Sequence, residues 1–159
     1  MRTLVSHKGA RPVNDSVAHA LFTEAGFLID QPETWQAWGK SVRAELEKTR
    51  HVLEQAKADG KRAWIYGAST RGGTMLQVIG AGPELTPFAV ERDETKFGKV
   101  MASVNVPIIS EAEMRADPPD MLLVSPWFFG QVFKERERAF IEAGGKLLFP
   151  LPRFEVYPA

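Results

Sequence analysis

The stretch AWIYGASTRGGTMLQVIG, residues 63–80, decides the fold. Arg62 to Tyr66, with the four consecutive apolar residues AWIY, read as a short buried strand. The apolar positions of MLQVI, by contrast, follow helical spacing. Between them lies a turn carrying Gly67, Gly72 and Gly73. A turn that leads from a strand into a helix offers backbone N–H groups at the positive end of the helix dipole, a geometry that suits an anion. The turn is not a nucleoside-triphosphate loop. Gly67, Gly72 and Thr74 fit that pattern, but Gly73 stands where its lysine belongs. No acidic residue ends the MLLVS segment to help hold magnesium. Nor is it a dinucleotide fingerprint, because Ser69 occupies the position of the second glycine. VIGAGPEL, residues 78–85, has the first two glycines of such a fingerprint. It follows a helical pattern, however, and ends on Leu85, so it reads as a glycine-capped helix C-terminus.

Upstream of this turn, Val13, Val17, Leu21, Phe22 and Ala25 predict a helix over 13–25, with Asp15 or Ser16 as its cap and Gly26 as its end. Trp35, Trp38, Val42, Leu46, Leu53 and Ala56 form an apolar stripe that predicts a second helix over 33–59, stopped by Gly60. Before both, TLVSH is strand-like. Downstream, the pattern predicts strands over 85–90, 106–109, 121–124 and 146–149. A helix capped by Ser110 and a long amphipathic helix over 128–143, with the charge run KERER, separate them. The expected fold is α/β and Rossmann-like: a mostly parallel sheet flanked by helices and preceded by two N-terminal helices. Residues 1–159 read as a single domain, with 1–59 a junction and helical lead-in and 60–156 the Rossmann-like substrate-binding core.

The 159 residues carry 20 basic and 20 acidic side chains, and this balance argues against a nucleic-acid partner. Absence of cysteine excludes disulfides and thiolate metal sites and fits a cytoplasmic protein. No apolar run approaches the ~18 residues of a membrane span. His7, His19 and His51 show no metal-ligand spacing, and no nucleophile–base pattern assigns a catalytic residue.

Ligands of open parallel sheets bind outside the carboxyl ends of the strands. The loops 67–73, 91–96, 125–129 and 150–153 are therefore expected to converge on one crevice. In the first loop, Ser69 and Thr70 offer hydroxyls, and Arg71 offers a fork matching a phosphate. The alternative is a solvated Arg71, with Gly67 and Gly72 serving only tight packing. Glu91, 24 residues after Gly67, stands where an acidic side chain accepts ribose hydroxyls, or else belongs to an ordinary charged turn. Pro126-Trp127-Phe128-Phe129 presents aromatics that stack on a base or sugar, or dock a neighbouring domain.

Taken in order, YGASTRGGT, ERDETKFGK, NVPIISEAE, PPDMLLVSPWFF and GGKLLFPLP resemble the C-terminal domain of S-adenosylmethionine-dependent sugar C-methyltransferases. The likeness is good over about residues 60–156 and looser over the two preceding helices. It implies a complete enzyme with a zinc-binding N-terminal domain, a central methyltransferase domain and this third domain, the nucleotide-linked deoxysugar lying between the last two. It places Ser69, Thr70, Arg71 and Gly72 near the substrate, with Glu91, Lys96 and Trp127 as further candidates. TLVSHKGARP resembles the junction leaving the central domain. By the same resemblance, S-adenosylmethionine, the structural zinc and the general base belong to other parts of the enzyme, in cis or on a separate chain. This chain alone would bind no cofactor and transfer no methyl group. It departs from the family pattern at Gly73, where asparagine is usual, and at Ser125, where leucine is usual. Two other readings stay open: a stand-alone small-molecule-binding Rossmann-like enzyme, and a protein-docking module.

Overall fold

A computed structural model describes residues 4–159, which divide into two compact units, one ending at Lys40 and the other spanning Ser41–Ala159. In the first unit, Leu4 to His7 form no strand, contrary to expectation; Thr3 lies outside the described residues. Helix α1 spans Asp15–Gly26, and its cap is Asn14, not Asp15 or Ser16. The Asn14 carboxamide oxygen accepts the Ser16 N–H at 2.9 Å, and its position one residue ahead of the first helical turn suits an Asx cap. Helix α2, Pro32–Ala58, begins in this unit. Trp35 donates its indole N–H to the Ile29 carbonyl at 2.6 Å, and Trp38 meets the Trp35 ring edge-on. Both tryptophans are exposed, although they stand on the apolar stripe of this helix. Burial along α2 begins only at Leu46 and continues through Thr49, Leu53 and Ala56.

The second unit is built on a seven-stranded sheet. Its strands are β1 (Ala63–Tyr66), β2 (Ala89–Glu91), β3 (Val100–Met101), β4 (Val106–Ser110), β5 (Met121–Val124), β6 (Lys146–Phe149) and β7 (Glu155–Tyr157). They lie in the order β3-β4-β2-β1-β5-β6-β7. The five central strands are parallel, and the two edge strands run antiparallel to their neighbours. Helix α3 is Thr70–Ile79, α4 Glu111–Ala116, α5 Gly130–Arg136 and α6 Arg138–Glu142. Alternation within β1 sorts the core into two layers. Ile65 packs with Leu53, Leu76 and Ile79 from α2 and α3. Trp64 and Tyr66 pack on the other face with Met114, Phe133 and Phe140 from α4, α5 and α6. Helices thus cover both faces, as a parallel sheet requires.

Three further expectations change. Strand β2 begins at Ala89 rather than Leu85: Pro87 lacks a donor, and the buried Thr86 hydroxyl bonds the Ala81 carbonyl at 3.0 Å, folding 82–86 into a turn. The antiparallel edges β3 and β7 are too short to leave a periodic signal. The helix expected over 128–143 is broken into a 3-10 turn, Trp127–Phe129, then α5 and α6. The break between α5 and α6 falls on Glu137, whose side chain is fully buried.

Candidate functional site

Strand order reverses at β1. From there the chain moves outward through β2 and β4, then crosses back to β5 and β6 on the other side. The loops leaving β1 and β5 therefore part over neighbouring strands, and this is where a crevice opens in such sheets. Two glycines set how closely they meet. Gly67 has φ +93°, and a Cβ there would lie 2.7 Å from Pro126 Cδ; a Cβ on Gly72 would lie 1.7 Å from Ser125 Oγ. Ser69 caps α3 by accepting the Gly72 N–H at 3.1 Å, and its hydroxyl lies 3.2 Å from that of Ser125. The N–H groups of Thr70 and Arg71 find no acceptor among the described residues.

Glu91 latches the second loop to the first. One carboxylate oxygen accepts the Ala68 N–H at 3.2 Å and the Lys96 ammonium at 3.0 Å; the other accepts the N–H groups of Arg92 and Asp93 at 2.7 and 3.3 Å. Partial burial would push its pKa up. The Arg92 N–H and the Lys96 ammonium outweigh this and hold it below the usual carboxylate range. A ribose hydroxyl would have to share an oxygen that already holds two donors. Lys96 also reaches the Ala68 carbonyl at 3.2 Å, so it too is occupied within the chain.

Two cavities lie at this end of the sheet, with α5 between them. The first, about 290 Å³, is bordered by Gly67, Ser69, Glu91, Arg92 and, from α5, Phe133 and Arg136. The second, about 450 Å³, is bordered by Trp127, Gln131, Lys134, Phe149, Arg153 and Glu155. The four loops therefore do not share one crevice. Residues 67–73, 91–96 and 125–129 contribute to the first cavity, whereas 150–153 belongs to the second and takes Trp127 with it.

A family model described as C-methyltransferase C-terminal domain matches residues 1–152. The chain belongs to that family. The C-methyltransferase NovU of Streptomyces niveus is 30% identical to it over 118 residues, which cover 74% of this chain and 27% of NovU. The C-terminal domain described here thus spans about a quarter of the length of the curated relative it matches.

Within this C-terminal domain the sequence-predicted residues separate. Gly67, Ser69, Gly72, Glu91 and Lys96 gather where the β1 and β2 loops meet. Trp127 is half-buried against the core. Thr70 and Arg71 are exposed and border neither cavity, and the Arg71 guanidinium lies over the Phe128 ring at 5.5 Å.

Sequence reasoning missed a buried polar cluster beside the first cavity. Glu137 accepts both terminal nitrogens of Arg115 at 3.1 Å, the Tyr66 hydroxyl at 2.6 Å and Arg136 Nε at 3.3 Å. The Tyr66 oxygen also stands 2.6 Å from a Glu111 carboxylate oxygen. Burial, and then the two neighbouring carboxylates, drive the Tyr66 pKa far above the ordinary phenol range. Burial would raise Glu137 as well, but the Arg115 and Tyr66 hydrogen bonds, with the charges of Arg115 and Arg136, hold it low. A signal for it was available: Glu137 stands four residues after Phe133 and three before Phe140, on the apolar side of the charge run. Among the described residues no group of His, Asp or Glu could hold a metal ion, and no helix is long and apolar enough to cross a membrane.

Proposed function

We propose that this chain is the substrate-recognition domain of a nucleotide-sugar C-methyltransferase, and that it binds the nucleotide part of a nucleotide-linked deoxysugar at the first crevice. The observation that carries this reading is the crevice at the reversal of strand order, bordered by Gly67 and Ser69 of the turn that leads into α3 and by the loop after β2. Family membership supplies the reaction class. A diphosphate that stays intact needs to be gripped and not cleaved, which accounts for a phosphate turn without lysine. In the complete enzyme S-adenosylmethionine, bound elsewhere, would supply the methyl group, and zinc would be structural in another domain. The general base would come from a central methyltransferase domain, in cis or as a separate chain. The residues of this chain bind and orient only, and the enzyme works in the cytoplasm. The exposure of Phe128 and Phe129 favours a second role for the aromatic turn, docking that central domain.

The test is titration of the chain with nucleoside 5′-diphosphates at fixed ionic strength. Binding is expected for at least one base. Arg71→Ala should weaken it by about 1.5–3 kcal/mol, the range for a hydrogen bond to a charged group, without loss of fold. Equal affinity for wild type and variant would remove Arg71 from the site. No binding by the wild type to any nucleotide would overturn the reading itself.

A further inference from the structure

The α5 side of the first crevice carries charge that the turn leading into α3 does not explain. Arg136 projects from α5 with its guanidinium over two rings, 4.6 Å from the Phe133 centroid and 5.0 Å from that of Tyr66. Its Nε bonds Glu137 at 3.3 Å, and Nη2 stands 3.5 Å from Glu111. No acceptor lies within hydrogen-bonding distance of Nη1 among the described residues. The side chain is 27% exposed, and it borders the crevice. Arg92, on the adjoining loop, borders the same crevice; its nearest carboxylate, on Glu111, is 3.9 Å away.

An ion-pair cluster serving only the fold would be expected to use its donors internally. This one does not. Arg92, Arg115 and Arg136 face Glu111 and Glu137, three guanidiniums against two carboxylates, so one positive charge is left over. Glu91 and Lys96 cancel each other nearby. The surplus is presented at the crevice. Arg136 is also fixed in advance by two rings and a buried carboxylate, so binding need not freeze a flexible side chain.

We propose that Arg92 and Arg136 form the second arm of a phosphate clamp, holding the diphosphate of the bound nucleotide together with the Gly67–Ser69 turn that borders the same crevice. Glu137 is the positioning residue that aims Arg136. The apolar lining of the crevice, Phe129 and Val132 among it, takes the flat faces of the attached nucleoside. This rests on the nucleotide-binding reading above, and adds which side chains neutralise the diphosphate.

The experiment titrates the full chain with nucleoside 5′-diphosphates of four bases and with inorganic pyrophosphate at low and moderate salt. Arg136→Gln is expected to weaken the best diphosphate about tenfold or more, and Arg92→Gln severalfold. Both losses should shrink as salt screens the charges. Arg136→Lys should recover part of the loss, because it restores the charge without the fork. Arg138→Gln, an exposed arginine on α6, should bind like wild type. Urea melts report whether Arg136→Gln is folded, and if it is not, Arg92→Gln decides, since that side chain is 65% exposed. Wild-type affinity in the folded arginine variants, with Arg71→Ala impaired, would overturn the second arm and leave nucleotide binding standing. Failure of the wild type to bind any diphosphate would overturn both.

Discussion

Replacing Glu137 by glutamine tests the buried cluster as an element of stability. The carboxylate is fully buried and accepts hydrogen bonds from Tyr66, twice from Arg115 and from Arg136. Glutamine keeps the shape but turns an N–H₂ donor toward guanidinium donors and removes the countercharge. Breaking a buried pair in this way costs roughly 3–5 kcal/mol. Arg115 is 45% and Arg136 27% exposed, so the orphaned guanidiniums can turn toward water, and a loss near the lower end, about 3 kcal/mol, is expected. With a urea m-value of about 2 kcal/mol/M, the midpoint should fall by roughly 1.5 M. The pH dependence adds a second check. In the folded chain the Glu137 pKa lies below its ordinary 4.5, so its stabilising charge is fully present above that pH. It is lost as pH falls through the lower folded-state value. The gap between wild type and Glu137→Gln should hold steady from pH 7 to 5 and narrow below 4.5. Urea titrations followed by tryptophan fluorescence at several pH values measure it. A loss under about 1 kcal/mol at pH 7, or a gap that does not narrow in acid, would refute the assignment.

Two smaller predictions concern the loops. Gly72→Ala should cost about 1–3 kcal/mol by overpacking against Ser125, and the double variant with Ser125→Gly should recover most of it, giving a coupling energy above about 1 kcal/mol in a double-mutant cycle. Ser110 and Glu113 form a reciprocal capping box at the start of α4, so Ser110→Ala should lower stability by about 1 kcal/mol in the same urea assay.

The strand–turn–helix unit over 63–79 was legible because the chemistry of each part is local: a continuous apolar run, glycines in the turn, then helical spacing. β1 and α3 begin and end within a residue of expectation, and the Ser110 cap is where its sequence placed it. What failed was set by tertiary contacts. Trp35 and Trp38 have helical spacing and yet are exposed, because spacing tells which residues share a face and not whether that face is covered. The helix over 128–143 breaks at Glu137, a buried carboxylate that bonds Arg115 and Tyr66, both distant in sequence, as well as the adjacent Arg136. At the site, the convergence of loops 67–73, 91–96 and 125–129 followed from sheet topology alone. The placement of Arg136 did not, since the charge run KERER gives no hint that Glu137 turns inward and holds Arg136 in place.

The two edge strands limit how other molecules can meet this sheet. A strand of two residues, β3, and one of three, β7, offer too little unpaired backbone to template another strand. β7 is followed directly by Pro158, which has no N–H to donate, and the Lys134 ammonium sits over Tyr157 at 4.4 Å and pairs with Glu155, placing charge along that border. Strand addition at either edge is thereby disfavoured. The domain is a poor seed for sheet extension or fibril growth, so covalent fusion beside these borders should not bring cross-strand self-assembly with it.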